Sequence, residues 1–161
     1  MAASDRPGLK RVSSYGGLAL FLVGVLGTGI AIGSLTDIGD WYLGLQKPAF
    51  NPPNWVFGPV WSILYIMIAV AGWRVFHLKP NQRLWWIWCG QMGLNFAWTP
   101  LFFALHLLWP ALMVLIALVC VILAFVAIAW RQDRISSWLF LPYAVWVGFA
   151  GLLNASIAGL N

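Results

Sequence analysis

The sequence predicts an all-α membrane protein: a bundle of five transmembrane helices made by a single domain over residues 1–161. Three observations carry that reading: the composition, the spacing of the apolar runs, and the placement of Lys and Arg. Of the 161 residues 62% are apolar and 8% charged, where a soluble domain has about a quarter of its residues charged. Four acidic and nine basic side chains cannot coat a packed core of this size, so the solvent around the chain is lipid.

Crossing ~30 Å of hydrocarbon takes roughly 20 apolar residues in a helix. Runs of that length lie at about 15–35, 55–76, 84–105, 109–130 and 138–157, each bounded by charge, proline or a polar cluster. None alternates with period two, and backbone groups in lipid must pair within their own segment, so helices are expected rather than a barrel. The first run also resembles a signal peptide ending near Ala31-Ile32-Gly33, but it exceeds the usual apolar stretch of about 7 to 15 residues, and helix 1 is expected to stay.

Orientation follows from the cations. Arg6, Lys10 and Arg11 precede the first run; Arg74, Lys79 and Arg83 join the second to the third; Arg131 and Arg134 join the fourth to the fifth; Lys47 is alone on the other side. The excess marks the cytoplasmic face, which puts the N-terminus inside and the first loop and C-terminus outside.

Several chemistries are excluded or disfavoured. The carboxylates are Asp5, Asp37, Asp40 and Asp133, with no Glu and none within an apolar run, so paired-carboxylate catalysis is excluded and proton-coupled export disfavoured. His77, His106, Cys89 and Cys120 stand apart, without metal-ligand or nucleophile-base spacing. The net charge of +5 forms no basic stripe, so no nucleic-acid partner is expected. Gly27, Gly29 and Gly33 mimic a dinucleotide fingerprint but lack the strand it must follow; Gly29 with Gly33, and Gly93 with Ala97, read instead as small-residue pairs for close helix approach. The sequon at Asn154-Ala155-Ser156 falls inside an apolar run and is discarded.

The informative residues are polar and aromatic ones at helical spacing. Gln91, Asn95, Trp98, Thr99 and Phe102 share one face of the third run; Tyr143, Trp146, Ala150 and Asn154 do so on the fifth; Trp61 and Tyr65 are i and i+4 on the second. Amides in membrane helices serve as interhelical glue, but glue needs no accompanying indoles and phenols, and the mixture favours a cavity for a flat ligand. The fourth run, polar only at Cys120, faces lipid or another subunit. Pro100 and Pro142 are expected to kink two pocket helices. The first loop, with Trp41, Tyr42, Lys47, Pro48, Pro52 and Pro53, reads as a stiff aromatic lid, with an interfacial anchor as the alternative. Of the 12 tryptophans, Trp85, Trp86, Trp88, Trp109, Trp130 and Trp138 lie near run ends and are expected in an interfacial belt; Trp61, Trp98 and Trp146 are not.

Trp41-Tyr42 with Lys47-Pro48, Asn51-Pro52-Pro53, Trp55-Val56-Phe57, Val60-Trp61 and Leu64-Tyr65 are followed by Gln91, Leu94-Asn95, Trp98-Thr99-Pro100, Phe102-Phe103, Pro142-Tyr143, Trp146 and Leu153-Asn154. In this order they resemble the TspO/MBR family, also called tryptophan-rich sensory proteins, translocator proteins or peripheral benzodiazepine receptors. The resemblance implies five transmembrane helices around a pocket beneath the first loop, a homodimer, and binding of porphyrins, haem precursors and benzodiazepine-type ligands. By motif, Trp61 and Asn95 would contact ligand, Trp98 and Phe102 would wall the pocket, Trp41 and Trp146 would face a bound tetrapyrrole, and Ala150 is the small position whose enlargement perturbs binding. Ala49 and Phe50 stand where some relatives have tryptophans, and no aromatic, basic tail follows the fifth run.

The expected function is that of a receptor or transporter in the bacterial inner membrane, regulating tetrapyrrole metabolism or a stress response. Its expected ligand-binding residues are Trp41, Tyr42, Trp61, Tyr65, Gln91, Asn95, Trp98, Phe102, Tyr143, Trp146, Ala150 and Asn154. Porphyrin is ligand rather than cofactor, and neither cofactor nor metal is required. The alternative is a light- and oxygen-dependent porphyrin-degrading enzyme with Trp41 and Trp146 as redox partners.

Overall fold

The computed structural model describes residues 14–35, 39–78 and 81–161. Asp5, Arg6, Lys10, Arg11, Asp37 and Lys79, several of which enter the charge asymmetry, lie outside the described residues. Among the described residues the chain is helical, without a strand. Five long helices fall on the five apolar runs: α1 (Ser14–Leu35), α3 (Phe57–Trp73), α4 (Gln82–Thr99), α5 (Leu108–Gln132) and α6 (Arg134–Leu160), with a short α2 (Asp40–Gly44) in the first loop. A 3-10 turn at Asn54–Val56 leads into α3, and π-helical turns at Arg74–Leu78 and Pro100–Ala104 prolong α3 and α4.

Among the described residues four segments, Tyr15–Ser34, Asn54–Leu78, Leu108–Gln132 and Arg134–Leu160, are long and apolar enough to cross a membrane. α4 is not among them, because Gln82, Arg83, Gln91, Asn95 and Thr99 dilute its apolar residues.

Packing follows the helical period. α6 buries Phe140, Tyr143, Val147, Ala150, Asn154 and Ile157, and α5 buries Ala111, Leu115, Leu118, Ile122, Phe125 and Ala129, both in steps of three and four. The stripes meet where Phe125 stacks on Phe140 at 4.0 Å. The opposite face of α5 exposes Met113, Ile116 and Leu123. α1 packs on α3, α3 on α6, α6 on α5 and α5 on α4, and α4 returns to α1, which closes the ring.

Glycine permits two of these approaches. A Cβ on Gly72 would sit 2.5 Å from Cε2 of Trp88, and one on Gly29 would sit 2.3 Å from Cε2 of Tyr65. Nothing among the described residues lies within 4 Å of such an atom on Gly93, so the close approach expected there is not made within this chain. Two members of the expected aromatic belt also move inward. Trp88 is buried, donates Nε1–H to the Ile68 carbonyl at 3.0 Å, and stacks on half-buried Trp85 at 5.3 Å. The start of α4 turns toward α3, so nearness to a run end does not put these two rings at the bundle surface. Trp86, Trp109, Trp130 and Trp138 are exposed, as a belt requires.

The prolines act differently from each other. Pro142 lies inside an unbroken α6, on an exposed face. At Pro100 the helix widens, and Leu105 N–H reaches back to the Pro100 carbonyl at 2.9 Å, five residues away. The wider turn still leaves Phe102 buried.

One end of the bundle is tied by charge. Arg74 donates Nε–H and Nη2–H to the two carboxylate oxygens of Asp133 at 2.9 and 2.8 Å, and Ser136 Oγ–H adds a bond at 2.6 Å. Burial pushes the Asp133 carboxyl up, but the hydrogen bonds from Arg74 and Ser136 and the guanidinium charge outweigh it, holding the group below the usual carboxylate range. Asn81 caps α4 by accepting from Leu84 N–H at 2.9 Å, and its amide donates to Gln132.

Candidate ligand-binding site

At the opposite end the helices part around a cavity of about 330 Å³. Trp61 and Tyr65 of α3 form one wall, their rings 5.3 Å apart. Trp98, Thr99, Phe102 and Phe103, around the Pro100 turn, form the second, and Ala150, Leu153, Asn154 and Ile157 of α6 form the third. The fourth comes from α1, through Leu26, Gly29, Ile30 and Gly33. Among the described residues no lining side chain is charged; the polar groups are amides, hydroxyls, phenols and indoles.

The first loop roofs this space. Tyr42 is buried against Phe103 at 5.3 Å and Phe102 at 6.3 Å, and lines the cavity. Lys47 folds back over the Tyr42 ring, 4.5 Å from its centroid, and its Nζ donates to the carbonyls of Tyr42 at 2.6 Å, Leu45 at 3.2 Å and Leu43 at 3.3 Å. That spends the loop cation on carbonyls at the end of α2. Asn161 then fastens the loop to α6: its Oδ1 accepts from Gln46 N–H at 3.0 Å, while Nδ2–H donates to Gln46 O at 3.0 Å and Ile157 O at 2.9 Å. Asn161→Ala is expected to remove about 1 kcal/mol of loop attachment. The check is limited chymotrypsin digestion, where cleavage after Tyr42 should accelerate roughly fivefold.

The expected site residues divide into three groups. Tyr42, Trp61, Tyr65, Trp98, Phe102, Ala150 and Asn154 line the cavity. Asn154 is held in place, accepting from Trp98 Nε1–H at 3.2 Å and donating to Leu108 O at 2.9 Å.

Gln91, Asn95 and Tyr143 do not line it; they lie buried behind Tyr65 in one hydrogen-bonded chain. Tyr65 Oη–H donates to Asn95 Oδ1 at 3.0 Å, Asn95 Nδ2–H to Tyr143 Oη at 2.9 Å, and Tyr143 Oη–H to Gln91 Oε1 at 2.9 Å. The two amides thus join three helices and back the cavity wall.

Trp41 and Trp146 stand outside. Trp41 stacks on His106 at 4.0 Å and touches Phe102 edge-on at 5.9 Å. Trp146 packs on Phe57 at 5.8 Å and lines an apolar groove on the outer side of α3 and α6, with Val60, Met67 and Pro142.

The α1 wall was missed by sequence reasoning. Gly29 and Gly33 were the available signal, but a small-residue pair says that something comes close without saying what; here it is the Tyr65 ring at Gly29 and open cavity at Gly33.

Helices of membrane-crossing length around an aromatic cavity define a multi-span membrane protein with a cavity between its helices. The TspO/MBR family model matches residues 18–160, and this chain belongs to that family. Protein CrtK of Rhodobacter capsulatus is 38% identical over 135 residues, covering 81% of this chain and 84% of the relative. Tryptophan-rich protein TspO of Archaeoglobus fulgidus is 35% identical over 155 residues, 95% of this chain and 97% of its own length. The translocator protein of Homo sapiens is 38% identical over 121 residues, covering 71% and 70%.

Proposed function

We propose that this protein is a membrane receptor or transporter that binds porphyrins and benzodiazepine-type ligands in the cavity beneath the first loop, and so regulates tetrapyrrole metabolism or a stress response. The observation that carries the reading is the wall chemistry: four flat rings, Trp61, Tyr65, Trp98 and Phe102, face one uncharged space with Asn154 at its side. Flat π faces take flat conjugated ligands, and a few hydrogen-bonding groups fix their orientation. Burying about 300 Å² of apolar ligand surface gives roughly 7 kcal/mol before ordering costs, so micromolar affinity also requires the ring stacking and hydrogen bonds of the wall. A space of about 330 Å³ lies at the lower end of the ~300–1,000 Å³ range of ligand pockets, so a whole macrocycle enters with the first loop lifted.

In this reading α4 is the fifth transmembrane helix. Its 18 residues and the 5 of the Pro100 turn span roughly 34 Å at 1.5 Å per residue, and the polar residues that lower its apolarity, Gln91 and Asn95, are buried inside the bundle. The N-terminus is cytoplasmic and the C-terminus outside, in a bacterial inner membrane, and two copies pair as a homodimer.

The test is a titration of detergent-solubilised protein with protoporphyrin IX, following tryptophan fluorescence in the dark. Saturable quenching is expected, with Trp61→Ala weakening it about tenfold through the loss of one stacking face. Unsaturable quenching, or an unchanged curve in Trp61→Ala, speaks against the assignment. Repeating the titration under light with oxygen separates the porphyrin-degrading alternative, since a stable porphyrin spectrum is expected of a receptor or carrier.

A further inference from the structure

Tyr65 lines the cavity, yet its hydroxyl is the outer end of a chain that terminates on a different helix. Asn95 and Gln91 of α4 and Tyr143 of α6 are buried, and only Tyr65 reaches the open space. In this arrangement each donor of the chain points inward, from Tyr65 to Asn95 to Tyr143 to Gln91 Oε1. The inner end is then left wanting, because Gln91 Nε2 is buried with no hydrogen-bond partner among the described residues. A buried orphan donor carries a desolvation cost that a satisfied one does not.

We infer that this chain reverses its direction with the ligand, and that Gln91, outside the cavity, governs which hydrogen-bonding chemistry the cavity accepts. The oxygen and nitrogen of a carboxamide are near-isosteric and a phenol hydroxyl turns about its C–O bond, so reversal moves almost no heavy atom. In the reversed state Gln91 Nε2–H donates to Tyr143, Tyr143 to Asn95 Oδ1, and Asn95 Nδ2–H to Tyr65. The Tyr65 proton is then released to the cavity.

With protons running inward, Tyr65 offers the cavity a lone pair and suits a ligand N–H. With protons running outward, it offers a proton and suits a ring nitrogen or a carbonyl. The outward state uses one N–H of Gln91 and leaves a carbonyl as the unsatisfied group, which interiors tolerate better than an amide donor. The cavity therefore serves flat heteroaromatic ligands of either polarity. This inference rests on the cavity being the binding site, as proposed above.

The test uses two flat tricyclic probes of similar size: acridine, whose ring nitrogen only accepts, and carbazole, whose N–H only donates. Binding to solubilised protein at pH 8 is measured by equilibrium dialysis. Both should bind the wild type saturably, and Tyr65→Phe should weaken both, each by about tenfold, the loss of one hydrogen bond in a dry site. A chain of fixed direction would lose affinity for one probe only, and that result overturns the inference.

Gln91→Met gives an independent reading. Without the amide, the inward state strands the Tyr143 proton and the outward state does not, so the acridine-to-carbazole affinity ratio should rise about tenfold. A purely structural role for Gln91 would move both affinities together, and an unchanged ratio with both probes still bound overturns the inference while leaving the site in place. If neither probe binds the wild type saturably, the site itself falls and the inference with it.

Discussion

Asp133→Ala is expected to cost about 3–5 kcal/mol of stability, since it leaves a largely buried guanidinium without its partner. The Arg74 and Asp133 side chains are 17% and 4% exposed, and the pair joins the end of α3 to the corner between α5 and α6. Arg134, next to Asp133 in sequence, is engaged elsewhere: it lies over the Trp130 ring, 5.6 Å from its centroid. The same pair sets an acid limit. Because the folded-state carboxyl is held below its ordinary value, its stabilisation is complete above about pH 4, the unfolded value, and drains away as pH falls through the depressed folded value. Unfolding in mixed micelles, followed by circular dichroism, should show the wild type losing stability below about pH 4. Asp133→Asn should lack that component, so an identical acid profile in this variant would assign the loss elsewhere.

The second large effect falls on Gly29, where even a methyl group has nowhere to go. A Cβ there meets three atoms of the Tyr65 ring at 2.3, 2.8 and 3.1 Å. The ring cannot simply slide, because Trp61 lies 5.3 Å away on α3, Phe96 lies 6.2 Å away on α4, and the hydroxyl is bonded to Asn95. Gly29→Ala should therefore push Tyr65 into the cavity, break its bond to Asn95 and lower porphyrin affinity at least tenfold, with about 1–3 kcal/mol lost from the fold. Gly27→Ala is the control, since nothing among the described residues lies within 4 Å of a Cβ there. It should bind normally and gain up to about 1 kcal/mol of helix propensity. Equal effects at the two positions would show that the cavity does not depend on the α1 approach.

What the sequence disclosed, and what it withheld, follows from the range of the interactions involved. Apolar period and run length depend on local geometry, so the five helices were legible from Tyr15 to Ile157, and the exposed side of α5 from its lack of polar residues. The stripe from Gln91 to Phe102 was legible as a face, but spacing cannot say whether a side chain on that face meets a void or another side chain. Asn95 and Gln91 turned out to meet Tyr143, whereas Trp98 and Phe102 meet the cavity. Trp88 departs from expectation for a related reason. A tryptophan near a helix end belongs to the interface only if no neighbour covers it, and whether α3 covers Trp88 depends on how the helices are set against one another. The α1 wall had only glycines to announce it, and glycine marks proximity without naming the neighbour.

The central claim is that ligand occupies the space beneath the first loop, and filling that space is the most direct test. Ala150 is nearly buried and lines the cavity from α6, so Ala150→Phe projects a ring into the volume that a flat ligand needs. The measurement is the dark protoporphyrin IX titration of wild type and Ala150→Phe side by side, with circular dichroism confirming that both remain helical. Saturable quenching in the wild type and at least tenfold weaker binding in the plugged variant is the expected result. Equal affinity in the two folded proteins would place the porphyrin elsewhere and contradict the account.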